Sequence, residues 1–395
     1  MPCDYDQLPH PGIRTLAPYV PGKSADELTR ERGLTDIIKL AGNENPLGCS
    51  PLVKLVLADL SGKQIAAYPM SVNHPLRHKL AEKLGVDTDM ITIGNGSDSL
   101  FCSLLTCFAL HNGKHILTHD YAFSSYAIQA KTLGIPVVSM AVKPNWEVDI
   151  DALIDACDLN TALIFIANPN NPTGLMICQE DIIRLLDNIP ETTIMVLDEA
   201  YFEYAFEVLH PATCSRDPEI LHKSSGSREQ IAGGRNAELL KKYPHLVITR
   251  TFSKAYGLAG IRLGYAIANT QITALLYRIQ LPFVVNITAL TAGYAALDDD
   301  DFIRQTIQLN NQGLIQMQLG LTALGLTHLP SAGNFITFDC GEDSLGIYQR
   351  LQDYGIIVRP LHPYGLNQHL RVTIGTQDQN TRFIDTLSKE LHHEK

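Results

Sequence analysis

Seven short apolar runs, spaced by helix-length segments, constrain this chain more than any other feature. They are Met90–Ile93, His115–Thr118, Pro136–Ala141, Ala162–Ala167, Thr193–Leu197, Leu246–Thr249 and Leu263–Ile267. Two of the spacers, Ser97–Leu110 and Gln179–Asn188, have helical length, and Ile182, Ile183, Leu185 and Leu186 form an apolar face on the second. Upstream, Leu76, Leu80 and Leu84 recur every fourth residue and Gly85 follows, which reads as a helix closed by a glycine. Such alternation predicts an α/β fold with a mostly parallel central sheet flanked by helices.

At 395 residues the chain exceeds one ordinary domain. Residues 1–48 read as an arm that joins a smaller domain, with a short helix near Ser24–Arg32, a strand at Ile37–Leu40 and a loop at Asn43–Gly48. Residues 49–285 carry the alternating pattern and form the large domain. From 286 to 395 the pattern changes to a smaller α+β domain, led by a long helix over Asp301–Leu324. The acidic run Asp298–Asp301 is expected to cap and solvate that helix rather than to hold a cation. The elements expected after it are Asn334–Asp339, Ser344–Asp353, Gly355–Arg359, Leu370–Ile374 and Asn380–His392. Residues 214–242 are polar, rich in Gly and Ser, and too long for an ordinary connection, so they read as a surface excursion.

Charge narrows the partners. With 31 basic and 42 acidic residues the net charge is −11, which argues against nucleic acid or an anionic membrane as the main partner. An anionic ligand then needs a local cluster of arginines. The eight cysteines are scattered without zinc spacing, so no metal site is expected, and reduced thiols point to the cytoplasm. No apolar run approaches the ~20 residues of a membrane helix.

In open parallel sheets, ligands bind beyond the carboxyl ends of the strands. After Met90–Ile93 stands Gly94-Asn-Gly-Ser-Asp-Ser99, either a plain turn or a helix start whose free N–H groups cradle an anion. After Ala162–Ala167 comes Asn168-Pro-Asn-Asn-Pro-Thr-Gly174, a stiff loop with three Asn side chains. Thr193–Leu197 ends in Asp198, with Tyr201 near it. Leu246–Thr249 leads to Thr251, Ser253, Lys254 and Arg262. Lys254 is either a surface charge or, if its flanking strands are buried, a desolvated and reactive amine. One ligand uses an anion cradle, an amide, a buried carboxylate with a phenol, and a lysine together: a phosphorylated pyridine aldehyde, pyridoxal 5′-phosphate. Its phosphate needs the helix start, its ring nitrogen a carboxylate, its phenolic oxygen donors, and its aldehyde an amine.

On these residues the chain resembles the fold-type I pyridoxal-phosphate aminotransferases over nearly its whole length. The resemblance rests on Leu16-Ala-Pro-Tyr19, Asn43-Glu-Asn-Pro46, Tyr68-Pro69, Gly94–Asp98, Asn168–Gly174, Asp198-Glu-Ala-Tyr201, Arg250–Tyr265, Ile357-Val-Arg359 and Leu370–Gly375. Within that superfamily the segments resemble those of enzymes acting on histidinol phosphate. Aromatic aminotransferases and threonine-phosphate decarboxylase carry similar ones.

The resemblance implies a division of labour. Lys254 bonds the cofactor aldehyde and then moves the proton between substrate and cofactor. Asp198 pairs with the ring nitrogen, and Asn171 and Tyr201 reach the phenolic oxygen. Gly96, Ser97 and Asp98, with Thr251, Ser253 and Arg262, hold the phosphate. Phe123 falls at the ring-stacking position, with helix-start packing as the alternative. Arg371 clamps the substrate's acidic group, and Asn43 lines the substrate side. Arg359 and Tyr19 complete a substrate-phosphate site, unless the first is a structural ion pair and the second arm packing. Tyr68 reaches the neighbouring subunit's cofactor, which implies a homodimer with shared sites. The separation of Asp198 from Lys254 exceeds the family's usual spacing because of the 214–242 excursion.

Overall fold

The computed structural model describes residues 4–18, 22–70, 73–111, 113–205 and 235–392. Twelve strands arise from the described sequence. In chain order they are β1 (Ile38–Lys39), β2 (Ile91–Gly94), β3 (His115–His119), β4 (Val137–Met140), β5 (Thr161–Ala167), β6 (Ile194–Asp198), β7 (Leu246–Thr251), β8 (Gly264–Ala268), β9 (Phe335–Asp339), β10 (Ile356–Ile357), β11 (Arg359–Pro360) and β12 (His369–Thr373).

Strands β2 to β8 form one seven-stranded sheet in the order β2-β8-β7-β6-β5-β3-β4. All neighbours are parallel except β8, which runs antiparallel to β2 and to β7. Each of the seven apolar runs is therefore a strand of this sheet. Strands β5 and β6 are buried at every position, which is why they read as continuous apolar runs rather than alternating ones.

The sheet splits the interior into two cores. One contains Leu117, Ile164, Ile166, Met195, Leu197 and Ile248, together with Leu76 and Leu80 from the helix Pro75–Leu84. The other contains Ile116, Leu163, Phe165, Val196 and Val247, together with Leu100, Phe101 and Leu104 from the helix Ser97–Phe108. Residues 163–166 alternate between the two cores with the period of a strand.

A third core belongs to the smaller body: Leu314, Met317 and Leu321 from the helix Asp300–Ala323, Ile336 and Phe338 from β9, Leu370 and Val372 from β12, and Phe383 and Leu387. Ile38 and Leu40 join it, because β1 pairs in parallel with β10. The arm before β1 carries the helix Ala25–Arg32. Ser24 and Glu27 close its start as a capping box, and Gly33 ends it at φ 70°. The acidic run caps the long helix, as expected. Asp299 caps the long helix by accepting from the Phe302 amide, while Asp298 and Asp300 pair with Lys79 and Lys83.

Two expected boundaries move. The expected small domain begins at 286 and so takes in the helix Ile287–Ala296. Its Ala289, Leu290, Ala292 and Ala295 instead lie in the first core, beside Leu76, so the large body extends to about Leu297. Gly293 permits that contact, since a Cβ there would meet Leu263 Cδ2 at 2.2 Å. The excursion expected over 214–242 also ends earlier. Residues Leu239 and Leu240 of the short helix Leu239–Lys242 are core residues, because that turn supplies apolar side chains under β7. Most of that excursion lies outside the described residues.

Candidate active site

The carboxyl ends of β2 and β7 meet the start of β8, and those of β6 and β5 follow along the same edge of the sheet. Gly94 and Thr251 both pair with Gly264, so the phosphate-type turn after β2 and the lysine turn after β7 flank one residue. Gly264 has to be small there: a Cβ would stand 2.4 Å from the Ser97 amide nitrogen. The helix that begins at Ser97 is capped by Gly96 at φ 74°, with no side chain satisfying its first amides. Those N–H groups and the helix dipole face the space beside Arg262. A Cβ on Gly96 would lie 2.5 Å from Arg262 Nη2. Arg262 Nη1 donates to Ser253 Oγ at 3.3 Å, and Nη2 lies 3.6 Å from Asp98 Oδ2. Thr251 Oγ1 accepts from the Ser253 amide at 3.1 Å, which folds the turn that carries Lys254.

Asp198 ends β6 with only 3% of its surface exposed. Its carboxylate accepts from Tyr126 Oη at 2.7 Å and from Thr249 Oγ1 at 3.0 Å. Both donors are neutral. Burial raises its pKa from 3.8 to about 7 in spite of them. A buried carboxylate held only by hydroxyls is costly, and it favours a cationic or N–H-bearing ligand group. Tyr126 in turn touches Phe123 edge to face at 5.6 Å.

Lys254 Nζ donates to the Gly42 carbonyl at 3.2 Å and stands 5.6 Å from the centre of the Tyr201 ring. Burial, helped by the charge of Arg371, lowers its pKa to about 8. The side chain is half-buried between its flanking buried residues Ser253 and Ala255. Tyr201 Oη accepts from Asn43 Nδ2 at 2.8 Å, and burial raises the Tyr201 pKa, so the phenol stays neutral. Asn43, at φ 55°, is pinned through its amide N–H, which donates to Thr373 Oγ1 at 2.9 Å. Asn171 Oδ1 accepts from Arg371 Nη1, and Arg371 Nη2 donates to the Ala41 carbonyl at 2.8 Å. Arg359 faces Arg371 in register across β11 and β12, which puts two guanidinium groups on one face of the small sheet.

The structure therefore gathers Gly96, Ser97, Asp98, Phe123, Asn171, Asp198, Tyr201, Thr251, Ser253, Lys254, Arg262, Asn43 and Arg371 around the ends of these strands. Arg359 joins them through its strand pairing. Tyr68 stands apart: it is 80% exposed and stacks on Phe283, with ring centres 4.4 Å apart. Tyr19 lies outside the described residues. Sequence reasoning missed Tyr126 and Thr249, the two groups that hold Asp198. Thr249 is the register partner of Asp198. Strand alternation alone could have nominated it had the pairing been known.

The match to a family model, Aminotransferase class I and II, spans residues 35–387. The chain is 54% identical over 387 residues to histidinol-phosphate aminotransferase 2 of Legionella pneumophila, covering 98% of this chain and 99% of that one. It is 40% identical to histidinol-phosphate aminotransferase 2 of Pseudomonas aeruginosa over 395 residues, covering 99% and 100%. Among solved structures, histidinol-phosphate aminotransferase from Sinorhizobium meliloti in complex with pyridoxal-5′-phosphate superposes with a TM-score of 0.79. It is 27% identical and covers 97% of this chain and 96% of that one. The chain belongs to the class I and II aminotransferases, enzymes of fold type I that depend on pyridoxal 5′-phosphate.

The residues present suit that cofactor. An uncapped helix start beside Arg262 matches a phosphate, a buried carboxylate with neutral donors matches a ring N–H, and a desolvated lysine matches an aldehyde. Among the described residues no helix is long and apolar enough to cross a membrane.

Proposed function

We propose that the chain transfers an amino group between L-histidinol phosphate and 2-oxoglutarate, giving imidazole-acetol phosphate and L-glutamate, as a step of histidine biosynthesis in the cytoplasm. Full-length similarity to relatives bearing that enzyme's name carries the substrate assignment. The facing pair Arg359 and Arg371 supports it, because both substrates are anions and the protein's net charge of −11 repels them elsewhere.

Pyridoxal phosphate, when bound, supplies an electron sink for the bond broken at the substrate's Cα. The chain's own residues do the rest. The amides of Ser97 and Asp98 beyond Gly96, with Thr251, Ser253 and Arg262, bind the cofactor phosphate. Asp198, kept in place by Tyr126 and Thr249, holds the proton on the ring nitrogen. Asn171 and Tyr201 direct donors at the phenolic oxygen, and Asn43 fixes the Tyr201 hydroxyl. Phe123 would stack on the cofactor ring. Lys254 would take the proton from the substrate's Cα and hand it to the cofactor carbon that carried the aldehyde, a task suited to an amine with a pKa of about 8. Arg371 grips a substrate acid with a planar fork, and Arg359 and Tyr19 receive the phosphate. Tyr68 and Phe283 sit on an exposed apolar surface with Leu281 and Met70, a surface suited to a second copy of the chain. In such a homodimer Tyr68 serves the partner's cofactor.

A substrate panel on the purified protein tests this reading. Rates with histidinol phosphate and 2-oxoglutarate should exceed those with phenylalanine. A clear preference for phenylalanine, or release of carbon dioxide without a glutamate-dependent half-reaction, overturns it.

A further inference from the structure

Behind the site lies a second ionic group that the proposed chemistry leaves unused. Glu199 and Arg250 are 1% and 2% exposed, the most deeply buried ion pair among the described salt bridges. They follow Asp198 and Thr249 by one residue each, and those two are register partners. Strand alternation turns Glu199 and Arg250 to the opposite face of the sheet from Asp198 and Thr249. Arg250 Nε and Nη2 both reach Glu199 Oε2, at 2.8 and 2.7 Å. The other carboxylate oxygen, Oε1, accepts from Asn236 Nδ2 at 2.7 Å. The guanidinium lies 3.7 Å from the centre of the Phe202 ring, and Arg250 pairs in register with Tyr265 on β8. So the end of β6, the end of β7, the turn after Tyr201 and the chain returning at 235 are bound into one cluster. Asp198 is one residue from that cluster and Lys254 four.

We propose that Glu199, Arg250 and Asn236 are positioning residues for the cofactor site: from the far face of the sheet they fix the distance between the strand ends that present Asp198 and Lys254. The pair has a second effect. Glu199 is a negative neighbour that works against ionisation of Asp198, and Arg250 offsets its charge. Burial opposes the Arg250 charge, yet Glu199, Tyr265 and Glu203 together outweigh it and the guanidinium stays protonated. Asn236 makes the helical turn Arg235–Glu238 part of the same fixture. That separates this cluster from a plain salt bridge, since an ion pair needs no third residue from a distant part of the chain.

The inference rests on the proposed roles of Asp198 and Lys254. Those are checked separately by loss of the visible cofactor band in Lys254→Ala. The test compares Arg250→Lys and Asn236→Ala with Leu351→Ala, a core change in the smaller body. Each full-length variant is stripped of cofactor. Its thermal midpoint is recorded, and pyridoxal phosphate is titrated back while the pH midpoint of the visible band is followed. Arg250→Lys keeps the charge but loses the two-pronged grip. We expect its cofactor Kd to rise about 10-fold or more and the band midpoint to move. Asn236→Ala should shift both in the same direction by less, and Leu351→Ala should lower the thermal midpoint with Kd and band unchanged. Unchanged Kd and band midpoint in Arg250→Lys and Asn236→Ala, or equal changes in Leu351→Ala, overturns the proposal. If Arg250→Lys does not fold, Asn236→Ala at the half-buried rim of the cluster decides in the same way.

Discussion

The guanidinium of Arg371 donates to the side-chain oxygen of Asn171, a residue 200 positions earlier in the chain. One partner stands on a strand of the smaller body, and the other closes the loop after β5 of the large sheet. A second bond, from Arg371 to the Ala41 carbonyl, ties in the arm. Three distant parts of the sequence thus converge on one fork. Arg371→Lys keeps the charge but loses the planar geometry. We expect kcat/KM to fall about 100-fold for both acidic substrates, equivalent to about 2.7 kcal/mol of transition-state stabilisation. Cofactor affinity, measured by equilibrium titration, should change only a few-fold. An unaltered kcat/KM would make Arg371 a strut between the bodies and nothing more.

Arg359 leads to a sharper prediction about substrate choice. It faces Arg371 across the strand pair, and half of the two-arginine face is lost in Arg359→Ala. KM for the phosphorylated substrate should rise far more than KM for 2-oxoglutarate. Steady-state kinetics with each substrate varied in turn measures the ratio. Equal changes would mean that Arg359 serves both acids or packs structurally.

Lys254 should betray its burial in cofactor-free protein. Its pKa of about 8 makes it a lysine that reacts with cyanate with a midpoint near pH 8, whereas exposed lysines lag by about 2.5 units. Peptide mapping of carbamylation against pH measures this. The same depression has a stability consequence. A lysine whose folded pKa lies below its unfolded 10.5 binds fewer protons when folded over pH 8 to 10.5. Its contribution therefore becomes less unfavourable as pH rises through that window. Lys254→Met should abolish that part of the profile and the visible cofactor band together.

Asp198 works in the opposite sense. Its folded pKa is raised from 3.8 to about 7, so between those values the folded chain holds a proton the unfolded chain has released. Cofactor-free protein should lose stability as pH climbs from 4 to 7, by about 2–4 kcal/mol from this group at roughly 1.4 kcal/mol per unit. Glu203 is also raised, to about 7, by burial, so the difference between wild type and Asp198→Asn is the quantity to follow. Urea unfolding at several pH values measures it. Bound cofactor should flatten the wild-type profile, because a ring N–H rewards the ionised carboxylate. A parallel pair of profiles for wild type and Asp198→Asn would contradict the buried-acid account.

Much of this architecture is legible in the sequence, for identifiable reasons. The strands of the main sheet read as short apolar runs because strands covered on both faces leave few polar positions. Lys254, Asp198 and Asn171 could be nominated because each stands just beyond such a run, where a sheet presents ligands. What stayed hidden depends on pairing register. Thr249 looks like any strand threonine until β6 and β7 are aligned, and Tyr126 like any helix aromatic until its hydroxyl meets Asp198. Arg250 reads as part of a lysine motif, not as half of a buried ion pair, because its partner's proximity is tertiary. The body to which the helix Ile287–Ala296 belongs is hidden for a related reason. Its small residues pack on Leu76 and Leu263, contacts that no local pattern announces.

Gly96 offers the most local test of the anion cradle. It sits at φ 74°, and a methyl group there would stand 2.5 Å from Arg262 Nη2. Gly96→Ala therefore carries two penalties. The left-handed backbone costs an L-residue about 1 kcal/mol, which should lower the thermal midpoint of cofactor-free protein by only a few degrees. The larger effect should fall on binding, since the guanidinium has to swing away from Ser253 and from the uncapped amides of Ser97 and Asp98. At about 1.5–3 kcal/mol for a hydrogen bond to a charged group, the Kd for pyridoxal phosphate should rise on the order of 10- to 100-fold. Pyridoxal without phosphate separates the causes. Its weaker binding should be nearly the same in wild type and Gly96→Ala, because it never uses the cradle. Equal losses for both ligands would place the damage in the backbone and not in phosphate recognition.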